Sequence, residues 1–423
     1  MTFSLRTDRR LIRAEASSTR YLLVSFLAPE APAPADRRPV NVALVLDRSG
    51  SMSGARKFDL AREAVEQALA MLRPEDRFTV VVYDEEVDVL TPSRSATPDA
   101  KRRALDSLRD VGPRGATNLC AGWMRGCEQI AEYLRDDAVA RALLLTDGLA
   151  NRGTTNRTTL ARHAAELRER GIATSTFGVG ADFDERLLRD LAHEGGGNFY
   201  FLETPAQIPD LLTSELGEAL EVVVRRAALQ LVLPSDADAA PLNHFRYTRA
   251  HGDNELRVEL GDLVSGQEAS ALIRIQFAPG RVGDTAAVRV ELTGDGTLAP
   301  IAEGGMTWTY ASHRENDVQP RDREVDREVA RLYAALARAE ATEANRHRDF
   351  SRARHVLERT ASRIRSYAGS DPELHALLAE LDHQVPTFER AMSPMALKAH
   401  FASAEWSART RRPDGKARRP RGS

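Results

Sequence analysis

One stretch of the sequence decides the fold: Val42-Ala-Leu-Val-Leu-Asp47-Arg-Ser49-Gly-Ser51-Met52. Its unbroken apolar run is typical of a strand that is buried on both faces, as strands of parallel sheets are. The run ends in an acid, and two hydroxyl residues follow at alternate positions, so all three side chains can converge above the end of the strand. A carboxylate with hydroxyl oxygens is a hard ligand set, suited to Mg²⁺, Mn²⁺ or Ca²⁺ and unsuited to zinc.

Short apolar runs alternate with amphipathic helices from Val40 to about Leu220. This alternation predicts a mostly parallel sheet flanked by helices, an α/β fold. Right-handed crossovers place the carboxyl ends of all parallel strands on one edge of the sheet, so a site is expected there. The predicted strands cover residues 42–46, 78–83, 142–146, 173–179 and 198–202, and the predicted helices lie near 57–72, 98–110, 118–135, 157–170, 184–193 and 205–219.

Two more loops at this edge carry matching oxygen groups. In Gly112-Pro-Arg-Gly-Ala-Thr117-Asn118 a hydroxyl precedes a predicted helix, and in Leu143-Leu-Leu-Thr-Asp147-Gly148 a second strand ends in an acid. Taken singly, these features have simpler explanations, since Ser49 or Ser51 can be a helix N-cap and Asp147-Gly148 a turn. Taken together, the two acids and three hydroxyls favour a metal site. Asp84-Glu85-Glu86, in contrast, is interpreted as a solvated turn.

These residues resemble a von Willebrand factor type A (VWA) domain with an intact metal-ion-dependent adhesion site (MIDAS). The family's Asp-x-Ser-x-Ser signature falls on Asp47, Ser49 and Ser51, its later threonine on Thr117 and its later acid on Asp147. The resemblance covers about 180 of the 423 residues. It implies a Rossmann-like fold in which the three hydroxyls bind Mg²⁺, with Mn²⁺ or Ca²⁺ as alternatives. The two acids bind the ion directly or through water, and one coordination position accepts an acidic side chain of a partner.

The function that this resemblance implies is cation-dependent protein binding without enzymatic activity. The partner then has an exposed Asp or Glu, and the classes suggested are MoxR-type AAA+ ATPases and stress or defence kinases or phosphatases. One alternative is a metal-dependent hydrolase that uses Asp47 as nucleophile or base. The sequence contains no Walker A loop, no Gly-x-Ser-x-Gly elbow and no His-Glu-x-x-His, and no histidine lies in the metal loops.

The remaining segments predict further structural units around the VWA domain at 39–220. Residues 1–38 are expected to supply N-terminal strands and a Pro/Ala linker, and the alternating pattern of 221–312 predicts a β-sandwich that the N-terminal strand joins. A helical segment follows at 316–402. Residues 403–423 are interpreted as a disordered basic tail, which offers a second alternative function, a tether to nucleic acid or an anionic membrane. The overall order resembles bacterial cytosolic VWA proteins.

The amino-acid composition narrows the class of protein further. The formal charge of -3 argues against nucleic-acid binding by the whole surface, and no run of 18 apolar residues is present for a transmembrane segment. Two cysteines, Cys120 and Cys127, are too few for a disulfide framework or a zinc site and are expected to be small packing residues. The apolar run 21–27 is not interpreted as a signal peptide, because Asp8 and Glu15 precede it. The expected location is the cytoplasm.

Overall fold

The computed structural model describes residues 2–31, 37–249, 254–295 and 299–420. The chain divides into two compact units. One is Ala31–Val222, and the other combines Met1–Glu30 with Val223–Ser423. In the described parts of the chain, no helix has the length and apolar character needed to cross a membrane.

The chain begins with three strands, β1 (Thr2–Thr7), β2 (Leu11–Arg13) and β3 (Ser18–Leu27). The apolar run 21–27, which was not interpreted as a signal peptide, lies within β3. Along this strand, Leu22, Val24 and Phe26 are buried in a single hydrophobic cluster, as the two-residue period of a strand requires.

The unit Ala31–Val222 has the α/β fold that the sequence predicts. Its six-stranded sheet has the order β6-β5-β4-β7-β8-β9, and every neighbouring pair is parallel except β5 with β6. The strands are β4 (Val40–Asp47), β5 (Arg77–Tyr83), β6 (Val87–Ser95), β7 (Val139–Thr146), β8 (Ile172–Val179) and β9 (Gly196–Leu202). The helices are α1 (Lys57–Met71), α2 (Pro98–Arg109), α3 (Leu119–Ala131), α4 (Arg157–Glu169), α5 (Glu185–Glu194) and α6 (Ile208–Leu220).

The helices bury the faces that their spacing predicts. In α1 the buried residues recur at intervals of three and four, and they are Phe58, Ala61, Ala64, Val65, Ala68 and Leu69. The antiparallel edge strand β6 was not predicted. It contains Pro92 and is only partly buried, and an edge strand tolerates proline because one side of its backbone needs no partner.

A buried carboxylate fixes α6 to the sheet. Glu215 is fully buried and accepts hydrogen bonds from side chains of three successive strands, namely Arg141 (2.7 Å), Ser175 (2.5 Å), Asn198 (3.0 Å) and Tyr200 (2.6 Å). Because both of its oxygens are engaged by buried donors, this charge is compensated inside the protein.

The cysteines of α3 are packing residues. Cys127 is buried, and burial raises the pKa of its thiol to about 12. Burial also raises the pKa of the half-buried Cys120. A thiol with a raised pKa is a poor nucleophile at neutral pH, which agrees with the interpretation from sequence.

The second unit contains two sheets that share one hydrophobic core. Their orders are β1-β3-β14-β11 and β12-β13-β10-β15-β16-β2, and β3 pairs antiparallel with β14. Side chains from both sheets, among them Val24, Ile273, Leu229 and Trp308, belong to the same cluster. The strands not yet given are β10 (Val222–Val232), β11 (Asp238–Pro241), β12 (Arg246–Arg249), β13 (Glu255–Val264), β14 (Glu268–Phe277), β15 (Thr285–Thr293) and β16 (Ala302–Ala311).

The C-terminal helices extend further than the predicted segment 316–402. They are α7 (His313–Val318), α8 (Arg323–Arg346), α9 (Phe350–Ala368), α10 (Pro372–Phe388) and α11 (Pro394–Ala408). A hydrophobic cluster of α8, α9 and α10 side chains, including Leu357, Leu381 and Phe388, holds this segment together.

The prediction of a disordered tail over 403–423 is wrong for its described part. Residues 403–408 belong to α11, and the segment 409–420 packs onto the same unit. Ala417 is only 6% exposed, and the carbonyl of Arg418 accepts a hydrogen bond of 2.9 Å from the backbone N–H of Glu268. The charged side chains of this segment do not prevent its backbone from forming hydrogen bonds. A count of charges along the sequence therefore does not reveal such contacts. Residues 421–423 lie outside the described residues.

Candidate functional site

Asp47 stands at the carboxyl end of β4, in the middle of the sheet, and is fully buried. Its Oδ1 accepts a hydrogen bond of 2.7 Å from the backbone N–H of Ser49, and its Oδ2 accepts one of 2.6 Å from the Thr146 hydroxyl. Burial raises the pKa of Asp47 to about 6. The hydrogen bonds from Ser49 and Thr146 oppose this rise, and the nearby Asp147 adds to it. The carboxylate is therefore fixed in position but poorly compensated when ionised.

The hydroxyl oxygens of Ser49 and Ser51 connect the end of β4 with the end of its neighbour in the sheet, β7. Their hydroxyl oxygens are 3.1 Å apart, and Ser51 Oγ donates to Oδ1 of Asp147 at 2.5 Å. Asp147 directly follows β7 and is also fully buried. The simpler explanation of Ser49 as an N-cap does not hold, because its side chain makes no capping hydrogen bond to the short helical turn Gly50–Arg56.

Thr117 lies near Ser51, on the loop that precedes α3. A Cβ atom added to Gly148 would lie 3.4 Å from Ser51 Oγ and 3.5 Å from Thr117 Oγ1, so both hydroxyls border the same glycine. Asn151 ties the two loops together, because its side-chain oxygen accepts from the Thr117 N–H at 2.9 Å and its own N–H donates to the Thr117 carbonyl at 3.1 Å. The structure thus brings together all five residues that the sequence singles out.

Helix α3 positions Thr117 by an unusually close approach to the sheet. Asn118 caps the helix by accepting from Ala121 N at 3.2 Å. A Cβ on Gly122 would lie 2.3 Å from Cγ of Tyr83, and one on Gly126 would lie 2.4 Å from Cγ2 of Val45, so only glycine fits at either position. The sequence signal was the pair of glycines four residues apart on one helix face, and this close approach was not predicted from it.

Asp84 is a structural brace and not the solvated turn expected from its sequence. It is 1% exposed, and its Oδ2 accepts from Nε of Arg48 at 3.1 Å and from Nε of Arg114 at 2.7 Å. Its carbonyl accepts from Asn118 N at 2.7 Å. Burial acts to raise the pKa of Asp84, but a backbone hydrogen bond from Glu86 and the two arginines outweigh it, and the pKa is lowered. Asp84 therefore links the loops that carry Ser49 and Thr117.

Lys57 is a further site residue that was not predicted from the sequence. Its Nζ lies 2.5 Å from Oδ2 of Asp147 and 3.5 Å from the carbonyl oxygen of Ser51. Lys57 is the first residue of α1. A cation at a helix N-terminus opposes the helix dipole, and this unfavourable placement was the available signal.

The donor set suits a hard divalent cation. Within the described residues, no group of three or more His, Cys, Asp or Glu side chains could hold a metal, so the two carboxylates need the neighbouring hydroxyls to complete a site. Two carboxylates about neutralise a divalent ion, and oxygen-only ligands are those of Mg²⁺, Mn²⁺ and Ca²⁺. The residues present therefore fit such an ion.

The sheet order and its three loops define the class of the domain, and comparison with known proteins agrees. A sequence profile of the von Willebrand factor type A domain matches residues 41–214, so the chain contains a VWA domain. The uncharacterized protein YfbK of Escherichia coli K12 is 26% identical over 244 residues, which cover 56% of this chain and 41% of YfbK. Human inter-alpha-trypsin inhibitor heavy chain H4 is 30% identical over 196 residues, covering 45% of this chain and 21% of that protein.

The chain thus spans less than half the length of these two relatives. Protein sll0103 of Synechocystis is covered further, with 25% identity over 291 residues, 66% of this chain and 67% of that protein. Among solved structures, a von Willebrand factor type A protein from Catenulispora acidiphila matches with a TM-score of 0.74 at 18% identity, over 98% of this chain and 97% of that one. The ArnB paralog VWA2 from Sulfolobus acidocaldarius matches with a TM-score of 0.56 at 16% identity, over 92% and 99%. At these identities the structural likeness concerns the fold.

Proposed function

We propose that this VWA domain binds a divalent cation, Mg²⁺ first and Mn²⁺ or Ca²⁺ as alternatives, through a MIDAS made of Asp47, Ser49, Ser51, Thr117 and Asp147. The observation that carries the proposal is the continuous set of oxygens at the end of the sheet, in which Ser51 Oγ is 3.1 Å from Ser49 Oγ and 2.5 Å from Asp147 Oδ1. A divalent cation would balance the charge of the two buried carboxylates more fully than the single ammonium of Lys57 does.

Calorimetric titration with Mg²⁺ tests the site. The wild type should bind one equivalent, and Asp147→Asn should lose the binding because a ligand charge is removed. Asp88→Asn is the matched control, because Asp88 is a carboxylate at the same end of the sheet but is half-exposed and paired with Arg48 at 2.6 Å. Equal Mg²⁺ affinity in the wild type and Asp147→Asn would refute the site.

We further propose that the bound cation grips an Asp or Glu side chain of a protein partner, so that the domain acts as a scaffold or adaptor. An incoming carboxylate can replace water on a cation that the domain itself only partly surrounds. MoxR-type AAA+ ATPases and stress or defence kinases or phosphatases are the partner classes to test first. A partner captured from lysate should be retained by the wild type in Mg²⁺ and released both by EDTA and in Asp147→Asn. Retention under either condition would contradict the grip.

A binding function is proposed in preference to hydrolysis, because the side chain of Asp47 is fully buried and both of its oxygens already accept hydrogen bonds. Such a carboxylate is poorly placed to attack a substrate. Metal-dependent turnover in a phosphatase and esterase screen, lost in Asp47→Asn, would reverse this assignment.

The tether alternative is weakened by the fold of the C-terminal segment. The carbonyl of Arg418 and the side chain of Ala417 are engaged within their own unit.

We propose a cytoplasmic location, which fractionation of cells expressing the tagged chain would test.

We also propose that residues 1–30 and 221–312 fold as one module into which the VWA domain is inserted. The support is the pairing of β3 with β14 along ten residues of each strand, from Ser18 with Phe277 to Leu27 with Glu268. Deleting residues 1–30 should expose the edge of β14 and cause aggregation. A soluble deletion variant with an unchanged melting curve would contradict this organisation.

A further inference from the structure

The ammonium group of Lys57 lies in contact with the proposed cation site. Nζ is 2.5 Å from Oδ2 of Asp147, while Oδ1 of the same carboxylate accepts from Ser51. The lysine side chain is 18% exposed and the Asp147 side chain is fully buried. The lysine therefore supplies a positive charge to a carboxylate that has little contact with water.

The backbone before Lys57 is strained in a way that supports this contact. Ala55 and Arg56 have φ values of +50° and +57°, in the left-handed region that residues with a Cβ atom seldom occupy. Arg56 is also the N-cap of α1, so the strained pair sets where the helix begins. A strained turn that places a cation at the unfavourable end of a helix requires compensation, and the buried carboxylate of Asp147 provides it.

We infer that Lys57 is an internal counter-ion that occupies Asp147 in the cation-free protein and must be displaced when a divalent cation binds. Lys57 would then set the cation affinity of the site and its preference for divalent ions. This inference rests on the proposed MIDAS and adds a residue to it.

The preference of the site for divalent over monovalent cations follows from charge. Replacing the ammonium by Na⁺ or K⁺ leaves the net charge beside Asp47 and Asp147 unchanged, so the exchange gains little Coulomb energy. Replacement by a divalent ion adds one positive charge next to two buried carboxylates. The released lysine has a flexible stem that reaches solvent, where its ammonium is well hydrated.

The test compares Lys57→Met with Arg56→Met. Both changes remove one positive charge from adjacent residues, but the Arg56 side chain is 69% exposed and pairs with Glu63. Calorimetry with Mg²⁺ in Lys57→Met should show binding about tenfold tighter than in the wild type, the scale of the repulsion between a divalent ion and a nearby ammonium that is screened as in bulk water. Arg56→Met should stay within about twofold, as screening of an exposed charge implies.

Thermal melting gives a second readout that separates this role from simple packing. In EDTA, Lys57→Met should melt below the wild type, because Asp147 loses its partner while remaining buried. In saturating Mg²⁺ the difference should vanish, since the cation replaces the ammonium. A residue that only packs would lower both melting temperatures alike.

The outcomes distinguish this inference from the proposed function. If the wild type binds Mg²⁺ and Asp147→Asn does not, but Lys57→Met binds with unchanged affinity, the MIDAS stands and the counter-ion role is wrong. If neither the wild type nor Lys57→Met binds Mg²⁺, both ideas fail.

Discussion

Replacing Asp47 by asparagine should stabilise the cation-free protein at neutral pH while abolishing cation binding. The pKa of Asp47 is raised by burial from an ordinary 3.8 to about 6. The folded chain therefore holds this proton more tightly than the unfolded chain does. The resulting stability is fully present below the unfolded pKa and is lost as the pH rises through the folded pKa.

The size of the effect follows from the two pKa values. With about 1.36 kcal/mol for each pKa unit, the raised pKa of Asp47 makes folding less favourable by about 3 kcal/mol at pH 7 and by roughly half as much at pH 5. Asparagine removes this cost and keeps the geometry. Its oxygen can accept from Ser49 N, and its amide can donate to Thr146 Oγ1, which has the carbonyl of Gly148 at 3.4 Å as an alternative acceptor.

The assay is urea unfolding in EDTA at both pH values, repeated at pH 7 with saturating Mg²⁺. In EDTA, Asp47→Asn should be more stable than the wild type by up to about 3 kcal/mol at pH 7, with a smaller gain at pH 5. In Mg²⁺ the wild type should gain stability while the variant does not, because only the wild type binds the ion.

Asp76 provides a control of opposite sign. It is fully buried as well, but it accepts from Arg37 at 2.5 Å and from Val40 N at 3.0 Å. Burial acts to raise the pKa of Asp76, yet these bonds outweigh it and the pKa is lowered. Asp76→Asn should therefore destabilise the protein at pH 7 by about 3 kcal/mol, the cost of breaking a buried pair. If Asp47→Asn in EDTA destabilises the protein as Asp76→Asn does, then an uncompensated charge on Asp47 is not what the site contains.

Three further predictions concern packing and the brace. Gly126→Ala should destabilise the protein by about 1–3 kcal/mol in urea unfolding because its Cβ would overlap a strand side chain at 2.4 Å, whereas Gly217→Ala, with its nearest contact at 3.5 Å, should be neutral or stabilising. Glu215→Gln should cost about 3–5 kcal/mol because it removes the negative charge that the buried Arg141 contacts, whereas Asp137→Asn in an exposed pair should have little effect, and equal effects would refute the buried network. Asp84→Asn should weaken Mg²⁺ binding by about tenfold without removing a ligand, as measured by calorimetry, and an unchanged affinity would show that the brace does not position the site.

The sequence predicted the sheet and the convergence of the five residues because both follow from short-range patterns and topology. An apolar run such as 42–46 is buried wherever it occurs in a parallel sheet. The rule that parallel strands end at one edge then brings Asp47 and Asp147 together, although they are 100 positions apart in the chain. No knowledge of particular contacts was needed for that step.

The features that sequence did not reveal depend on long-range contacts. Asp84 looked exposed because acids follow it, yet its burial depends on arginines 36 and 30 residues away. The basic segment after α11 was predicted to be disordered because the prediction considered only its charges. The hydrogen bonds that its backbone could form were not considered. β6 was overlooked because an edge strand lacks the continuous apolar pattern on which the prediction relied.

The buried acids of the VWA domain differ in how their charge is compensated, and this difference supports the choice of ligands. Asp76 and Asp84 are each paired with arginine, and their pKa values are lowered, so the chain itself neutralises them. Asp47 accepts hydrogen bonds from Ser49 and Thr146, neither of which carries a charge, and its pKa is raised. Asp147 has a lysine, whose ammonium is more easily displaced than a guanidinium held by several hydrogen bonds. A divalent cation therefore gains most where arginine is absent, at the two acids that the Asp-x-Ser-x-Ser and Thr-Asp-Gly motifs supply.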